Sequence, residues 1–363
     1  MLQNTIFQDL NMTNCLRDLL KMRPYLLADG ATGTNLFAMG LQTGDSPELW
    51  NVDHPDRIAA NYVSFIEAGS DIVLTNTFGG TTFRLKLHDA QDRVTELNEA
   101  GARIARECAD ATTERKILVA GSMGPTGELM EPMGALTMES ATAAFAEQAQ
   151  ALAAGGADIL WIETMSSLEE VQAALAGAAT TDLPTVCTVS FDINGRSMMG
   201  VTPADLVNLY EHSEHPPTAC GSNCGVGASE LVVAILNMGN ASDNEENIYV
   251  AKANCGIPEY VEGKIHYNGT PEIMADYVRM AIDAGARIIG GCCGTTPEHI
   301  RAMREALDEH IKGEKPTVAE VEARLGEVSV GAKAQNRGEM SVMEGAISGG
   351  DGAPRESRRR KRD

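Results

Sequence analysis

The phrase EAGSDI at residues 67–72 returns as AGGADI at 154–159 and as DAGARI at 283–288. Each copy closes an amphipathic stretch with glycine and then opens a short apolar run. Glycine ends a helix where a left-handed residue is needed, and the chain turns into a strand. A junction of this kind, repeated along the chain, describes successive βα units.

Working outward from these junctions, eight apolar runs alternate with helical patterns between residues 25 and 310. The first four are YLLAD (25–29), DIVLTN (71–76), KILVAG (116–121) and DILWIE (158–163). The second four are TVCTVSF (185–191), TACGSNC (218–224), IYVAKAN (248–254) and RIIGGC (287–292). Among the helical stretches, 54–68 sets Ile58, Tyr62, Phe65 and Ile66 on one stripe, the spacing of a helix face. Residues 137–154 are Ala-rich with Thr137 as N-cap. Those at 271–284 and 297–308 each begin with proline after threonine, and proline suits the first helical turn because its missing N–H would go unsatisfied there anyway.

Eight βα units predict an α/β fold, a (β/α)8 TIM barrel. The competing arrangement is a doubly wound open sheet, but the first βα turn, DGATGT (29–34), is not the G-x-G-x-x-G fingerprint with its acidic partner. The barrel is expected over 25–312, behind an N-terminal extension at 1–24. Residues 313–363 read as an appendage, with a short helix near 317–325 and then a flexible, disordered tail. The RRRKR run at 358–362 reads as solvated terminal charge.

Composition narrows the partners. The chain has 363 residues, 43% hydrophobic, enough for a large core. Asp and Glu number 51 against 29 Lys and Arg, a formal net charge of -22. That surface repels phosphate backbones and anionic lipid, so no nucleic acid and no membrane is expected as a partner. No apolar run reaches the roughly 20 residues that span a bilayer. The N-terminus lacks the pattern of a secretory signal, and a cytoplasmic location is expected. A homo-oligomer is compatible with these features.

Eight cysteines in such a chain point to metal binding or catalysis rather than a disulfide framework. In a barrel, function gathers at the C-terminal ends of the strands. Cys224 ends the sixth run, and Cys292 and Cys293 end the eighth. Even-numbered strands share layers, which brings three thiols together. Three thiolates around zinc leave a fourth position open, the pattern of a catalytic site. A packing role or a redox pair is the competing reading, but glycines flanking the vicinal pair mark close approach rather than core filling. Cys15, Cys108, Cys187, Cys220 and Cys255 read as structural. A soft site of three thiolates suits a substrate thiol held as thiolate, which implies alkyl transfer to sulfur. A non-catalytic zinc-binding or thiol-binding partner subunit is the alternative class.

At these residues the sequence resembles the zinc-dependent homocysteine S-methyltransferase family. The matching stretches are DGATGT (29–34), TNTF (75–78), GSMGPTG (121–127), WIETM (161–165), NCGVG (223–227) and GGCCGTTP (290–297). The resemblance implies a (β/α)8 barrel that makes methionine from homocysteine, with zinc on Cys224, Cys292 and Cys293. It also implies that Asp29 and Glu163 bind the amino acid end of homocysteine, with Gly30 beside them and Asn76 and Ser190 as further candidates. The barrel is most like bacterial members called betaine–homocysteine methyltransferases, so betaine leads as methyl donor. The homocysteine module of cobalamin-dependent methionine synthase is equally similar in its TNTF and GGCCGT wording, and its donor would be a methylcorrinoid protein. S-Methylmethionine is a third donor class. Betaine calls for an aromatic cage, for which Trp50, Phe78 and Phe83 are the available rings. Gly79 and Gly80 after Phe78 read as an opened barrel mouth that suits a docking partner.

Overall fold

The structure, a computed structural model, describes residues 15–339 apart from 193, 257, 262 and 263. Eight parallel strands form the expected barrel. They are β1 (Leu26–Leu27), β2 (Ile72–Leu74), β3 (Leu118–Met123), β4 (Ile159–Met165), β5 (Thr185–Val189), β6 (Ala219–Cys224), β7 (Tyr249–Ala253) and β10 (Ala286–Gly291). The order around the sheet is β1-β10-β7-β6-β5-β4-β3-β2, and the bridge Ala28↔Ile72 brings its two edges together. An antiparallel hairpin, β8 (Pro258–Val261) and β9 (Lys264–Tyr267), is inserted after β7 and had no signature in the alternation pattern.

Both faces of these strands are covered, as parallel sheets require. Alternate residues divide between two cores. Leu26, Ile72, Leu118, Ile159, Trp161, Val186, Val250 and Ile288 fill the lower interior. Leu27, Val73, Val119, Leu160, Ile162, Cys187, Cys220 and Ile289 face the helices.

The repeated phrases explain themselves at the bottom of the barrel. Gly69 and Gly285 adopt the left-handed helix-ending conformation at φ 114° and 116°. In the middle copy Gly156, at φ 98°, takes that role. The fifth position of each phrase stitches neighbouring strands. Asp71 accepts the Leu27 N–H at 2.9 Å and Asp158 accepts the Val119 N–H at 2.8 Å. Arg287, the third copy's counterpart, instead donates to the carbonyls of Pro24 and Leu20.

Leu20 belongs to a helix, Cys15–Met22, that the sequence left within a featureless extension. Cys15, Leu16, Leu19 and Leu20 bury their side chains in the lower barrel core and seal it from below. The helices expected at 54–68, 137–154, 271–284, 297–308 and 317–325 are found at Pro55–Ala68, Met138–Ala154, Pro271–Ala284, Pro297–Glu309 and Val318–Leu325. Thr137 caps its helix as expected, accepting the Ser140 N–H. A further helix, Val330–Asn336, is tied down through Gly331 N–H to Asn194 Oδ1 at 2.7 Å and Gln335 Nε2 to the Gly195 carbonyl at 2.8 Å. The tail from residue 340, with the 358–362 basic run, lies outside the described residues. No helix among the described residues is long and apolar enough to cross a membrane.

Asp71 is 1% exposed and gathers Arg23, Arg115 and Arg304 at 2.5, 3.3 and 2.9 Å. Removing a buried partner strands the opposite charges. Asp71→Ala is therefore expected to lower unfolding free energy by roughly 3–5 kcal/mol in urea titrations. Asp276→Ala, which breaks only ion pairs at the surface, should barely move the midpoint.

Candidate active site

Toward the C-terminal end, the barrel interior changes from apolar to polar. Ser122, Glu163, Thr188, Asn223 and Lys252 occupy inward positions of β3 to β7, above Leu118, Trp161, Val186, Ala219 and Val250. They sit beneath a cavity of about 410 Å³ whose walls include Gly30, Asn76, Phe78, Glu163, Cys224, Lys252, Cys292 and Cys293.

The three thiols that the sequence singled out converge there. The sulfurs of Cys224, Cys292 and Cys293 lie within 4.8 Å of one another. Cys224 holds φ 61°, an uncommon conformation for a side chain-bearing residue, as the strand gives way to Gly225. The vicinal pair is fixed by its backbone: Cys292 N–H donates to the Ala253 carbonyl at 2.6 Å, and Cys255 N–H donates to the Cys293 carbonyl at 2.9 Å. Asn254 joins the two thiol-bearing loops, donating to the Gly225 carbonyl at 2.6 Å and accepting Cys293 N–H at 3.0 Å. A Cβ on Gly294 would stand 2.3 Å from the Tyr267 ring, so the flanking glycine does mark close approach.

Asn223 braces the cluster from below. Its Oδ1 accepts the Thr164 N–H at 2.8 Å and the Thr188 hydroxyl at 2.7 Å, while Nδ2 reaches Cys292 Sγ at 3.9 Å. The hydrogen bond with Cys224, and then burial, push the Cys292 thiol up to about 12. The other five cysteines stay outside the cluster. Cys15, Cys187 and Cys220 are packed in the core, Cys108 is half-buried, and Cys255 hydrogen-bonds with the Gly269 carbonyl and His299.

Asp29 and Glu163 are both buried, at 1% and 7% exposed; Glu163 lines the cavity, whereas Asp29 lies behind its wall, beside Gly30 and Lys252. Asp29 Oδ2 accepts the Leu74 N–H at 2.8 Å. Glu163 Oε1 accepts the Ser122 hydroxyl at 2.5 Å. Burial pushes the Asp29 carboxyl up to about 6 against the pull of Lys252, and burial raises Glu163 as well. Gly30 lines the wall, where a Cβ would meet the Thr295 carbonyl at 2.7 Å. Asn76 also lines it, but its side-chain nitrogen is spent on the Pro47 carbonyl and Asn51 Oδ1. Ser190 is not among the residues facing the cavity.

Lys252 is the site residue that sequence reading missed. It lies 3.4 Å from Asp29 Oδ1 and donates to the Gly30 carbonyl at 3.2 Å. The signal was there, a lysine within an otherwise apolar run, since a fully buried lysine implies a partner.

The mouth also differs from expectation. Gly79 and Gly80 do not open it. A Cβ on Gly79 would lie 2.9 Å from Glu48 Oε1, and one on Gly80 would lie 2.3 Å from Asn98 Oδ1 and 2.7 Å from Gln148 Nε2. The glycines admit anchoring side chains. Of the rings considered for a cage, only Phe78 faces the cavity, joined there by Phe37. Trp50 is buried under the Arg57 guanidinium at 4.9 Å, and Phe83 packs on the outer core.

A family model described as homocysteine S-methyltransferase matches residues 26–307. The chain is 30% identical over 307 residues to methionine synthase of Mycobacterium tuberculosis, an alignment covering 80% of this chain and 25% of that protein. It therefore spans about a quarter of that relative's length. The homocysteine methyltransferase MmuM of Escherichia coli, in metallated form, superposes with a TM-score of 0.67 at 26% identity, covering 80% of this chain and 99% of that one. A methyltransferase from Methanosarcina mazei, at 14% identity and TM-score 0.51, covers 83% of this chain and 99% of its own and shares the fold.

Gly80→Ala is expected to cost roughly 1–3 kcal/mol of stability through forced displacement of Asn98 and Gln148. Gly33→Ala, where a Cβ meets nothing within 4 Å, should cost nothing in the same urea titration.

Proposed function

The chain belongs to the homocysteine S-methyltransferase family, and on that premise we propose that its barrel methylates homocysteine to methionine with zinc held by Cys224, Cys292 and Cys293. The observation that carries this reading is the cluster of three sulfurs within 4.8 Å of one another. A tetrahedral zinc with bonds of about 2.3 Å places its sulfur ligands about 3.8 Å apart, so the set fits with little closure. When bound, zinc on three thiolates offers a fourth position to the substrate sulfur and keeps it deprotonated at neutral pH.

The remaining work falls to the chain. Asp29 and Glu163 take the substrate ammonium, and backbone N–H groups beside Asp29 take its carboxylate. Asn254 and Asn223 hold the thiol-bearing loops so that the sulfur faces the cavity mouth. The substrate sulfur attacks the donor's methyl carbon as the bond to the leaving atom breaks, and the electron pair departs with the leaving group.

Betaine remains the leading donor, with Phe37 and Phe78 as the rings for its trimethylammonium group. A methylcorrinoid protein is the second reading. It is favoured by the two-ring wall and by the likeness to one quarter of a methionine synthase.

Zinc-loaded protein mixed with homocysteine and betaine alone is expected to give methionine and dimethylglycine in equal amounts by mass spectrometry. Absence of both, with turnover restored by methylcobalamin or a corrinoid protein, would replace betaine by the second donor, and turnover only with S-methylmethionine by the third. Cys293→Ala should lose both bound zinc and turnover, and full activity in that variant would overturn the ligand set. Because ionised Asp29 is required for the ammonium, homocysteine affinity should fall as pH drops through about 6. Titration calorimetry at stepped pH, with zinc content checked at each step, measures that fall.

A further inference from the structure

Lys252 is a cation in an unusual place. It is 3% exposed, on the inward face of β7, with its stem across the space that Gly290 leaves open. Its ammonium faces Asp29 Oδ1 at 3.4 Å and the Gly30 carbonyl at 3.2 Å, with Glu163 and Cys292 also within electrostatic reach. Asp29 Oδ1 has no hydrogen-bond partner. Arg84 and His88 also line the cavity, but Arg84 is only half-buried and His88 is exposed. Thus Glu163 and Lys252 line the cavity and Asp29 lies directly behind Lys252, a cluster of two buried carboxylates and one buried ammonium with a formal charge of −1.

Two carboxylates facing one buried space resist ionising together, and a proton shared between them relieves the repulsion. A carboxyl pair that holds a proton must shed it before it can receive an ammonium. From this geometry we propose that Lys252 is a positioning residue: its charge keeps Asp29 and Glu163 both unprotonated, so that substrate ammonium binds without displacing a proton. This rests on the homocysteine reading for the identity of the ammonium, but the charge arrangement is a property of the protein alone. The groups facing this cluster are Asp29 and Tyr62 from the first βα unit, Glu163 from β4, Lys252 from β7 and Cys292 after β10. The Tyr62 hydroxyl accepts the Asn76 N–H at 2.6 Å, and burial holds its proton on.

The test uses the full chain and two variants that delete the charge, Lys252→Met and Lys252→Gln, with Lys252→Arg retaining it. Infrared spectra of the ligand-free proteins at pH 7 report a protonated carboxyl directly through its carbonyl stretch. The band is expected in Lys252→Met and Lys252→Gln and absent from wild type and Lys252→Arg. Titration calorimetry with homocysteine, in buffers of different ionisation enthalpy, then counts protons released on binding. The substrate thiol contributes equally in all proteins, so the charge-deleting variants should release up to one more. Their affinity should rise with pH between pH 7 and 8 more steeply than that of wild type, by up to about a further tenfold per pH unit, the slope from the substrate thiol being common to all. Weaker binding with no extra proton and no carboxyl band would reduce Lys252 to a packing role and overturn the proposal. Wild type that fails to bind homocysteine would instead overturn the substrate reading, with the infrared comparison still deciding the role of Lys252.

Discussion

The barrel depends on how its first and last edges meet. β1 is two residues long, and a single bridge, Ala28↔Ile72, pairs it with β2. Two aspartates complete the seam from opposite ends. Asp71, at the start of β2, reaches back to the Leu27 N–H, and Asp29, beyond β1, reaches forward to the Leu74 N–H. Each carboxylate supplies an acceptor that a longer strand would have supplied from its backbone. The lower one is neutralised by three arginines, the upper by Lys252. Closure of the fold and the charge cluster behind the cavity wall thus share one residue: Asp29 accepts the Leu74 N–H with one oxygen and pairs with Lys252 through the other.

Much of this was legible from the sequence because it is written locally. Helix-ending glycines, Thr-Pro helix starts and apolar runs occupy consecutive positions, and the barrel follows from counting them. The thiol cluster was legible for a similar reason, since strand ends in a barrel converge and the cysteines terminate even-numbered strands. Features that depend on distant contacts were not. Gly80 carries no mark that Asn98 and Gln148 will occupy its missing side chain's space. Lys252 looks like one polar residue in a strand until Gly290, Asp29 and Gly30 surround it. Asn76 and Ser190 sit at strand ends as expected, yet Asn76 lines the cavity with its side-chain nitrogen already committed to Pro47 and Asn51, and Ser190 does not line it. The Cys15–Met22 helix has an amphipathic pattern too short to announce itself, and only the open lower end of the barrel gives it a purpose.

Strain and bracing are paired around the thiols. Cys224 and Thr164 both hold positive φ toward the C-terminal ends of β6 and β4, which flank β5, a costly conformation for residues other than glycine. Asn223, one residue before Cys224, hydrogen-bonds both the backbone and the hydroxyl of Thr164. A neutral amide can donate and accept at once, so it secures two bent strand ends without adding charge beside three sulfurs.

Sealing of the lower barrel by Leu16, Leu19 and Leu20 has a consequence for traffic. Among the described residues, the deep end of the cavity is a wall, so both reactants of a two-substrate reaction share one doorway. Depth then sets sequence. On the proposed reading, a substrate that reaches Glu163 and the sulfurs would enter before a donor seated nearer the mouth, and the spent donor would leave before the product beneath it. A queue of this kind shows itself as compulsory-order kinetics, and its origin is the eight-residue helix at the opposite end of the molecule.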